Sequence, residues 1–337
     1  MLRIPSLIVL IAIAGLVTAC NQSTSTDDSA SSQDRPANPI PVIFDTDIGN
    51  DVDDTWALLQ LVRSPELDTK LIVTATGDTV LRAKVTAKFL EASGDTDIPI
   101  GIGVRGEGGV DNQKPWVEGY ELSQYPGPIL EDGIQAMIDT IRASEDIITL
   151  IVVGPATNIK VALERAPDIA QKCKFIGMHG SVDVGYGGSS EPSDEYNVRA
   201  DVPAFRSVLN ADWHGIEITP LDSCGDIVLG GELYQQLFTS KDPALVALFE
   251  NYEIFAELVQ WMEVDYFDSK STTLFDCVAV YMAYTQKHLV YEEIPLTVDD
   301  KGMTLRDPAG AKVNVASGWT DQEAFLKHLT YRLEGSE

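Results

Sequence analysis

Pro41-Val42-Ile43-Phe44-Asp45-Thr46-Asp47-Ile48-Gly49-Asn50-Asp51-Val52-Asp53-Asp54-Thr55 is the stretch whose reading decides the fold. A short apolar run ends in acid, and the apolar spacing after Asp54 predicts a helix over 55–62, stopped by Ser64-Pro65. A buried strand that feeds a helix through an acidic turn is the opening of a βαβ unit. The same alternation continues outward. Strands are expected over 71–76, closed by Gly77, and over 98–102, 147–153, 175–178 and 216–218. Helices are expected over 80–92, ending before Gly94, and from Gly154-Pro155 through Arg165. From Tyr291 the pattern turns to a closing hairpin around Asp300-Lys301-Gly302. Uninterrupted apolar strands between helices imply an α/β fold, a mostly parallel central sheet flanked by helices in the Rossmann manner. In such sheets ligands bind beyond the carboxyl ends of the strands. No internal repeat or second linker interrupts residues 40–337, which read as one domain.

The chain has 337 residues, with 24 Lys+Arg against 52 Asp+Glu, a formal net charge of −28. That balance argues against a nucleic-acid partner, since nothing would neutralise phosphates, and against electrostatic docking on an anionic membrane. The first residues read as an address. Met1–Arg3 carries positive charge, an apolar run follows that is too short to span a bilayer stably, and Val17-Thr18-Ala19-Cys20 closes it. Residues 1–19 are therefore expected to be a lipoprotein signal peptide, with Cys20 acylated; an N-terminal membrane anchor is the alternative. Residues 20–39, rich in Ser, Thr, Asp and Gln, read as a flexible tether. Localisation would then be the bacterial envelope, periplasm or cell surface, with membrane contact only through lipidated Cys20.

Cys173, Cys224 and Cys277 are odd in number and lack zinc spacing, so buried small hydrophobes are the favoured reading over a disulfide pair. His179, His214, His288 and His328 are scattered, which argues against transition-metal chemistry.

The acid cluster carries the chemistry. Five carboxylates fall within ten residues, Asp45 to Asp54. Close-packed without a partner they repel and are driven to protonate. A hard divalent cation with oxygen ligands removes the repulsion. Asp45 and Asp47 point the same way along an extended chain, and Asp53 and Asp54 sit at a helix N-terminus, where negative charge is favoured in any case. A solvated, capped loop is the bland alternative. An EF-hand loop fails because Gly49 stands at its fifth position. An aspartyl-phosphate phosphatase fails because Gly49 replaces the expected Thr or Val and the Asp53-Asp54 pair is surplus.

The cluster resembles the opening signature of the inosine-uridine preferring nucleoside hydrolase family, Asp-Thr-Asp-x-Gly-x-Asp-Asp, with two more residues before Asp53-Asp54. Asp45, Asp47, Asp53 and Asp54 align with the family's four aspartates, and the role of Asp51 stays open. Val153-Gly154-Pro155-Ala156-Thr157-Asn158 is similar to the family's Gly-Pro-Leu-Thr-Asn turn. Met178-His179-Gly180 stands where the family has Met-Gly-Gly, and Glu191-Pro192-Ser193-Asp194-Glu195-Tyr196-Asn197 looks like its Thr-Pro-x-x-Glu-Phe-Asn. Thr273-Leu274-Phe275-Asp276 looks like the segment that supplies the last metal carboxylate.

The resemblance implies hydrolysis of the N-glycosidic bond of a ribonucleoside to ribose and free base, in purine or pyrimidine salvage. It implies one Ca²⁺ held by Asp47, Asp54, Asp276 and the Val153 carbonyl. Asp47 would be the general base, and Asp53, Asp78, Met178, Ser189, Glu195 and Asn197 would bind a small-molecule nucleoside. Family members commonly form dimers or tetramers, which makes a homo-oligomer a candidate assembly. Three positions depart from the family: Phe275 replaces a His that can donate a proton, Asp78 an Asn, and Ser189 another Asn. Trp116, Tyr120, Tyr125, Tyr186, Trp261 and Tyr266 are aromatic candidates for meeting the base. A nucleoside- or sugar-binding lipoprotein without turnover is the second reading, and a metal-dependent phosphohydrolase the third.

Overall fold

The computed structural model describes residues 36–106, 110–259 and 266–335. The expected signal peptide, Cys20, most of the tether and Trp261 lie outside the described residues. The first half of the chain alternates as the sequence predicts, with one addition. β1 (Ile40–Thr46), α1 (Asp53–Val62), β2 (Leu67–Thr74), α2 (Thr79–Ser93), β3 (Ile100–Ile102), β4 (Ile129–Leu130), α3 (Gly133–Ala143), β5 (Ile148–Val152), α4 (Thr157–Arg165) and β6 (Cys173–Met178) follow in order. The addition is β4 and α3, between the expected strands at 98–102 and 147–153, which have no counterpart in the sequence reading. Then come α5 (Tyr196–Ala200), α6 (Val202–Asn210), β7 (Gly215–Thr219), α7 (Leu221–Cys224), α8 (Gly231–Phe238), α9 (Pro243–Leu258), α10 (Tyr266–Ser269) and α11 (Phe275–Tyr284). The chain closes with β8 (Leu289–Val298), β9 (Thr304–Arg306), β10 (Ala311–Trp319) and α12 (Gln322–Glu334).

Among the described residues the strands form one sheet in the order β4-β3-β2-β1-β5-β6-β7-β10-β8-β9. All neighbours from β4 to β10 run parallel, and β8 and β9 join antiparallel. The expected hairpin is β8–β9, turned at Asp299, whose carboxylate accepts from the Lys301 and Met303 amides at 2.8 and 2.9 Å. β10 inserts between β7 and β8, an arrangement that a hairpin alone does not reveal.

Strand side chains alternate between the two faces. Val42, Phe44, Ile72, Ile151 and Ile176 enter one apolar cluster, with α1, α9 and α11 residues. Ile43, Leu71, Val73, Leu150, Val152 and Phe175 enter the other, with α3, α4 and α6. Both faces are covered, which is why these strands read as continuous apolar runs. Strand order reverses between β2-β1 and β5-β6. That places a topological switch at the carboxyl ends of β1 and β5, where a crevice forms. Cys173, Cys224 and Cys277 are buried free thiols.

Candidate active site at the carboxyl ends of β1 and β5

The floor of the crevice is set by backbone pairing. Asp45 pairs with Val152, and the Val153 amide donates to the Asp45 carbonyl at 2.9 Å. The Val153-Gly154 turn therefore runs against Asp47. A Cβ on Gly154 would lie 2.9 Å from Asp47 Oδ1, so glycine is needed for this approach. Gly49 has φ +101°, a left-handed conformation that lets the chain turn from β1 toward α1. Asp53 and Asp54 occupy the first turn of α1, and Asp276 the first turn of α11. The two helices pack together. Helix N-termini favour negative charge, and here two of them meet. One oxygen each from Asp53, Asp54 and Asp276 lies within 4.8 Å of the others. The Thr46 hydroxyl donates to Asp54, which fixes that carboxylate.

These acids line a cavity of about 390 Å³ that Asp47 and Asp51 also border. Val153, Met178, Glu195 and Asn197 form a second part of its wall. Glu195 caps α5, accepting from the amides of Gly180 at 2.9 Å, Asn197 at 2.6 Å and Val198 at 3.1 Å. Asn197 Nδ2 donates to the carbonyls of Val153 at 2.9 Å and Met178 at 3.0 Å, tying the ends of β5 and β6 together. A carbonyl has two lone pairs, so the Val153 oxygen keeps one for another ligand. Asp45 is placed differently. It is fully buried behind the floor, where Asn158 Nδ2 donates to it at 2.7 Å.

Burial pushes the carboxyls of this region up. Asp45 and Glu195 rise to about 7 and Asp51 to about 6, in each case chiefly by desolvation. Asp53, Asp54 and Asp276 are raised well above the ordinary carboxylate value, through burial first and then the charges of neighbouring acids, Asp47 and Asp51 among them. Asp47 is raised by burial, against the charge of Arg82. That guanidinium is itself buried and donates to the carbonyls of Thr76, Asp47 and Ile48. A group of buried acids with one cation behind it is suited to a compensating ligand, and its all-oxygen donor set fits a hard divalent ion.

The structure brings together Asp47, Asp53, Asp54, Val153, Met178, Glu195, Asn197 and Asp276, from five separate parts of the chain. Two expected contacts fall outside the cavity. Asp78 is the N-cap of α2, accepting from the Leu81 amide at 3.2 Å and pairing with Arg105. Ser189 is exposed, and its hydroxyl accepts from the Glu191 amide at 3.1 Å. In both cases a local turn uses the side chain. Of the aromatic candidates, Tyr186 lines the cavity. Trp116, Tyr120 and Tyr125 are buried elsewhere, bonded to Glu250, Glu91 and Ile98. Tyr266 lies under the Lys270 ammonium. Sequence reasoning missed Asn50, Asn112, Tyr196 and Arg199 as lining residues. Tyr196 stands inside the Glu195-Tyr196-Asn197 motif, whereas Arg199 lies two residues beyond it, where nothing local marks it. Val110 and Asn112 lie in a stretch without periodicity, where no signal marks them.

Comparison with known proteins gives a consistent result. The model of the family described as inosine-uridine preferring nucleoside hydrolase matches residues 42–327. The chain is 28% identical over 235 residues to a non-specific ribonucleoside hydrolase RihC of Klebsiella pneumoniae, spanning 63% of this chain and 72% of that one. It is 30% identical over 224 residues to the RihC of Salmonella agona, spanning 61% and 67%. Among solved structures, the plant nucleoside hydrolase PpNRh1 superposes with a TM-score of 0.74 at 21% identity, covering 88% of this chain and 99% of that one. A purine-preferring ribonucleoside hydrolase from Gardnerella vaginalis gives 0.70 at 20%, covering 88% and 98%. At these identities the superpositions speak to the fold.

Proposed function

This chain belongs to the inosine-uridine preferring nucleoside hydrolase family, and from that premise we propose that it hydrolyses the N-glycosidic bond of a ribonucleoside to ribose and free base. The observation that carries the reading is the convergence of Asp53, Asp54 and Asp276 within 4.8 Å, in a cavity shared with Asp47, Glu195 and Asn197.

Asp47, Asp54, Asp276 and the Val153 carbonyl would hold one Ca²⁺. When bound, such an ion lowers the pKa of a water and adds positive charge beside the sugar. Asp47, whose carboxyl is raised above its ordinary value by burial, takes the proton of the attacking water. Asp53 and Glu195 accept from ribose hydroxyls. Asn197 spends its amide hydrogens on Val153 and Met178, which leaves its Oδ1 for a hydroxyl. Holding the ribose at several points lets binding energy favour the flattened, cation-like sugar of the transition state. Met178 closes the wall beside it.

We further propose that residues 40–337 act as one hydrolase domain, carried in the bacterial envelope on a lipid attached to Cys20. Purified protein incubated with a nucleoside panel tests the activity. Release of reducing sugar that EDTA and Asp47→Ala both abolish supports it. Tight binding with no release on any member supports a binding lipoprotein, and phosphate release from nucleotides a phosphohydrolase.

A further inference from the structure

Cleaving an N-glycosidic bond sends the bonding electron pair to a ring nitrogen of the base. That nitrogen needs a proton or a positive charge as the bond breaks. Phe275, next to Asp276 at the cavity wall, offers neither. The acids of the floor are nearly inaccessible, Asp53, Asp54 and Asp276 being 3%, 2% and 3% exposed. Tyr186 at 42% and the Arg199 side chain at 49% stand at the mouth. A ribose seated on the acids therefore points its base at the mouth.

The mouth is one connected group of side chains. The Tyr186 ring meets Phe275 edge-on at 6.1 Å. The Tyr186 hydroxyl accepts from the Tyr196 amide at 2.9 Å, and the Arg199 guanidinium lies over the Tyr196 ring at 6.0 Å. Arg199 is the sole cation among the described residues lining the cavity. Its Nη1 pairs with Asp194 at 3.1 Å, but both partners are about half exposed. Such a pair is weak, and the planar fork keeps further N–H groups for a ligand.

Resting on the hydrolase reading, we propose that Arg199 is a catalytic residue that stabilises the departing base as an anion. The C1′–N bond breaks with its electron pair moving to the base, whose negative charge forms against the guanidinium. The water oxygen bonds to C1′, its proton passes to Asp47, and the base takes a proton from solvent after leaving. Arginine does not give up its own proton, so it works by charge and hydrogen bonding. Tyr186 and Phe275 flank the base.

The test compares leaving groups. The wild type, Arg199→Ala and Arg199→Lys are assayed with uridine, inosine and p-nitrophenyl riboside, whose phenolate leaves unaided. For Arg199→Ala the nucleosides should lose about 100-fold in kcat, the size found when one charge-stabilising donor is removed. The nitrophenyl riboside should change less than about 3-fold, since it needs little of that stabilisation. Guanidinium ion added to Arg199→Ala should restore part of the nucleoside rate, and Arg199→Lys should fall between. Equal losses on all three substrates, or no loss on nucleosides, would overturn the assignment of Arg199 while leaving the hydrolase reading intact. A wild type that cleaves none of the three would overturn the hydrolase reading and this inference with it. An Arg199→Ala chain that fails to fold fails on every substrate, and Arg199→Lys then decides: it should keep the nitrophenyl riboside rate and lose nucleoside rate.

Discussion

Asn50 Nδ2 donates to Asp47 Oδ2 at 3.2 Å, so a residue of the lengthened acidic turn holds the proposed base. The same asparagine is held in turn. Its Oδ1 accepts from the Val110 amide at 3.2 Å, and its carbonyl from Asn112 Nδ2 at 2.6 Å. Gln113, fully buried, donates to the Asp51 carbonyl at 3.2 Å. Asn50 and Asp51 are thus built into the wall of the site by a distant segment.

Asn50→Ala should lower kcat about 10-fold, with KM little changed, because the carboxylate loses its aim and small misplacements of reacting groups are costly. Steady-state kinetics on the best nucleoside checks this. A rise in KM with unchanged kcat would show that Asn50 binds substrate instead.

Asp47→Ala should cost about 100- to 10,000-fold in kcat, the range for a lost general base. Asp276→Asn, which leaves the proposed base in place, should weaken Ca²⁺ binding, read by calcium titration of the chelated protein. If Asp276→Asn binds Ca²⁺ as the wild type does, the ion sits elsewhere.

Asp78→Ala separates cap from site. Loss of an N-cap costs about 1 kcal/mol of stability, and kcat/KM should stay at the wild-type value. Urea unfolding and the ribose-release assay measure the two separately. A large drop in kcat/KM would return Asp78 to the cavity.

The metal-free chain should lose stability as pH rises. Asp45 and Glu195 carry folded-state values near 7, raised by burial above those of the unfolded chain. Groups raised in this way contribute stability that is complete below about pH 4, the unfolded carboxyl range, and is lost as pH passes through 7. Melting in EDTA at pH 5 and pH 8 should therefore give the lower Tm at pH 8. Calcium should raise Tm, by about 2.7 kcal/mol of stabilisation at one hundred times its Kd. A metal-free Tm that climbs from pH 5 to pH 8, or that ignores calcium, contradicts the account.

The sequence shows the site unevenly, and the reason is physical. Asp45 to Asp54 betray themselves because five charges beside an apolar strand are costly without a purpose. Val153-Gly154-Pro155 and Glu195-Tyr196-Asn197 are found through the family resemblance and the order of its motifs, since each alone reads equally well as an ordinary turn or loop. Asp78 and Ser189 mislead because a polar side chain in a turn serves its own backbone as readily as a ligand. Arg199 stays hidden because nothing local marks an exposed arginine; only the fold brings it to the cavity mouth. The sheet was legible from apolar runs as far as β7, apart from β4, whose two residues are too few to show as a run. The insertion of β10 between β7 and β8 was not, since strand order depends on packing at a distance.

α1 and α11, whose first turns supply Asp53, Asp54 and Asp276, belong to opposite halves of the sequence. An ion seated between them acts as a clasp across the chain, closing a loop of most of the domain without a covalent bond. Chelation should then open the molecule to limited proteolysis before global unfolding, with the first cuts in connections around those two helices. Calcium supply would govern the lifetime of this protein as well as its chemistry.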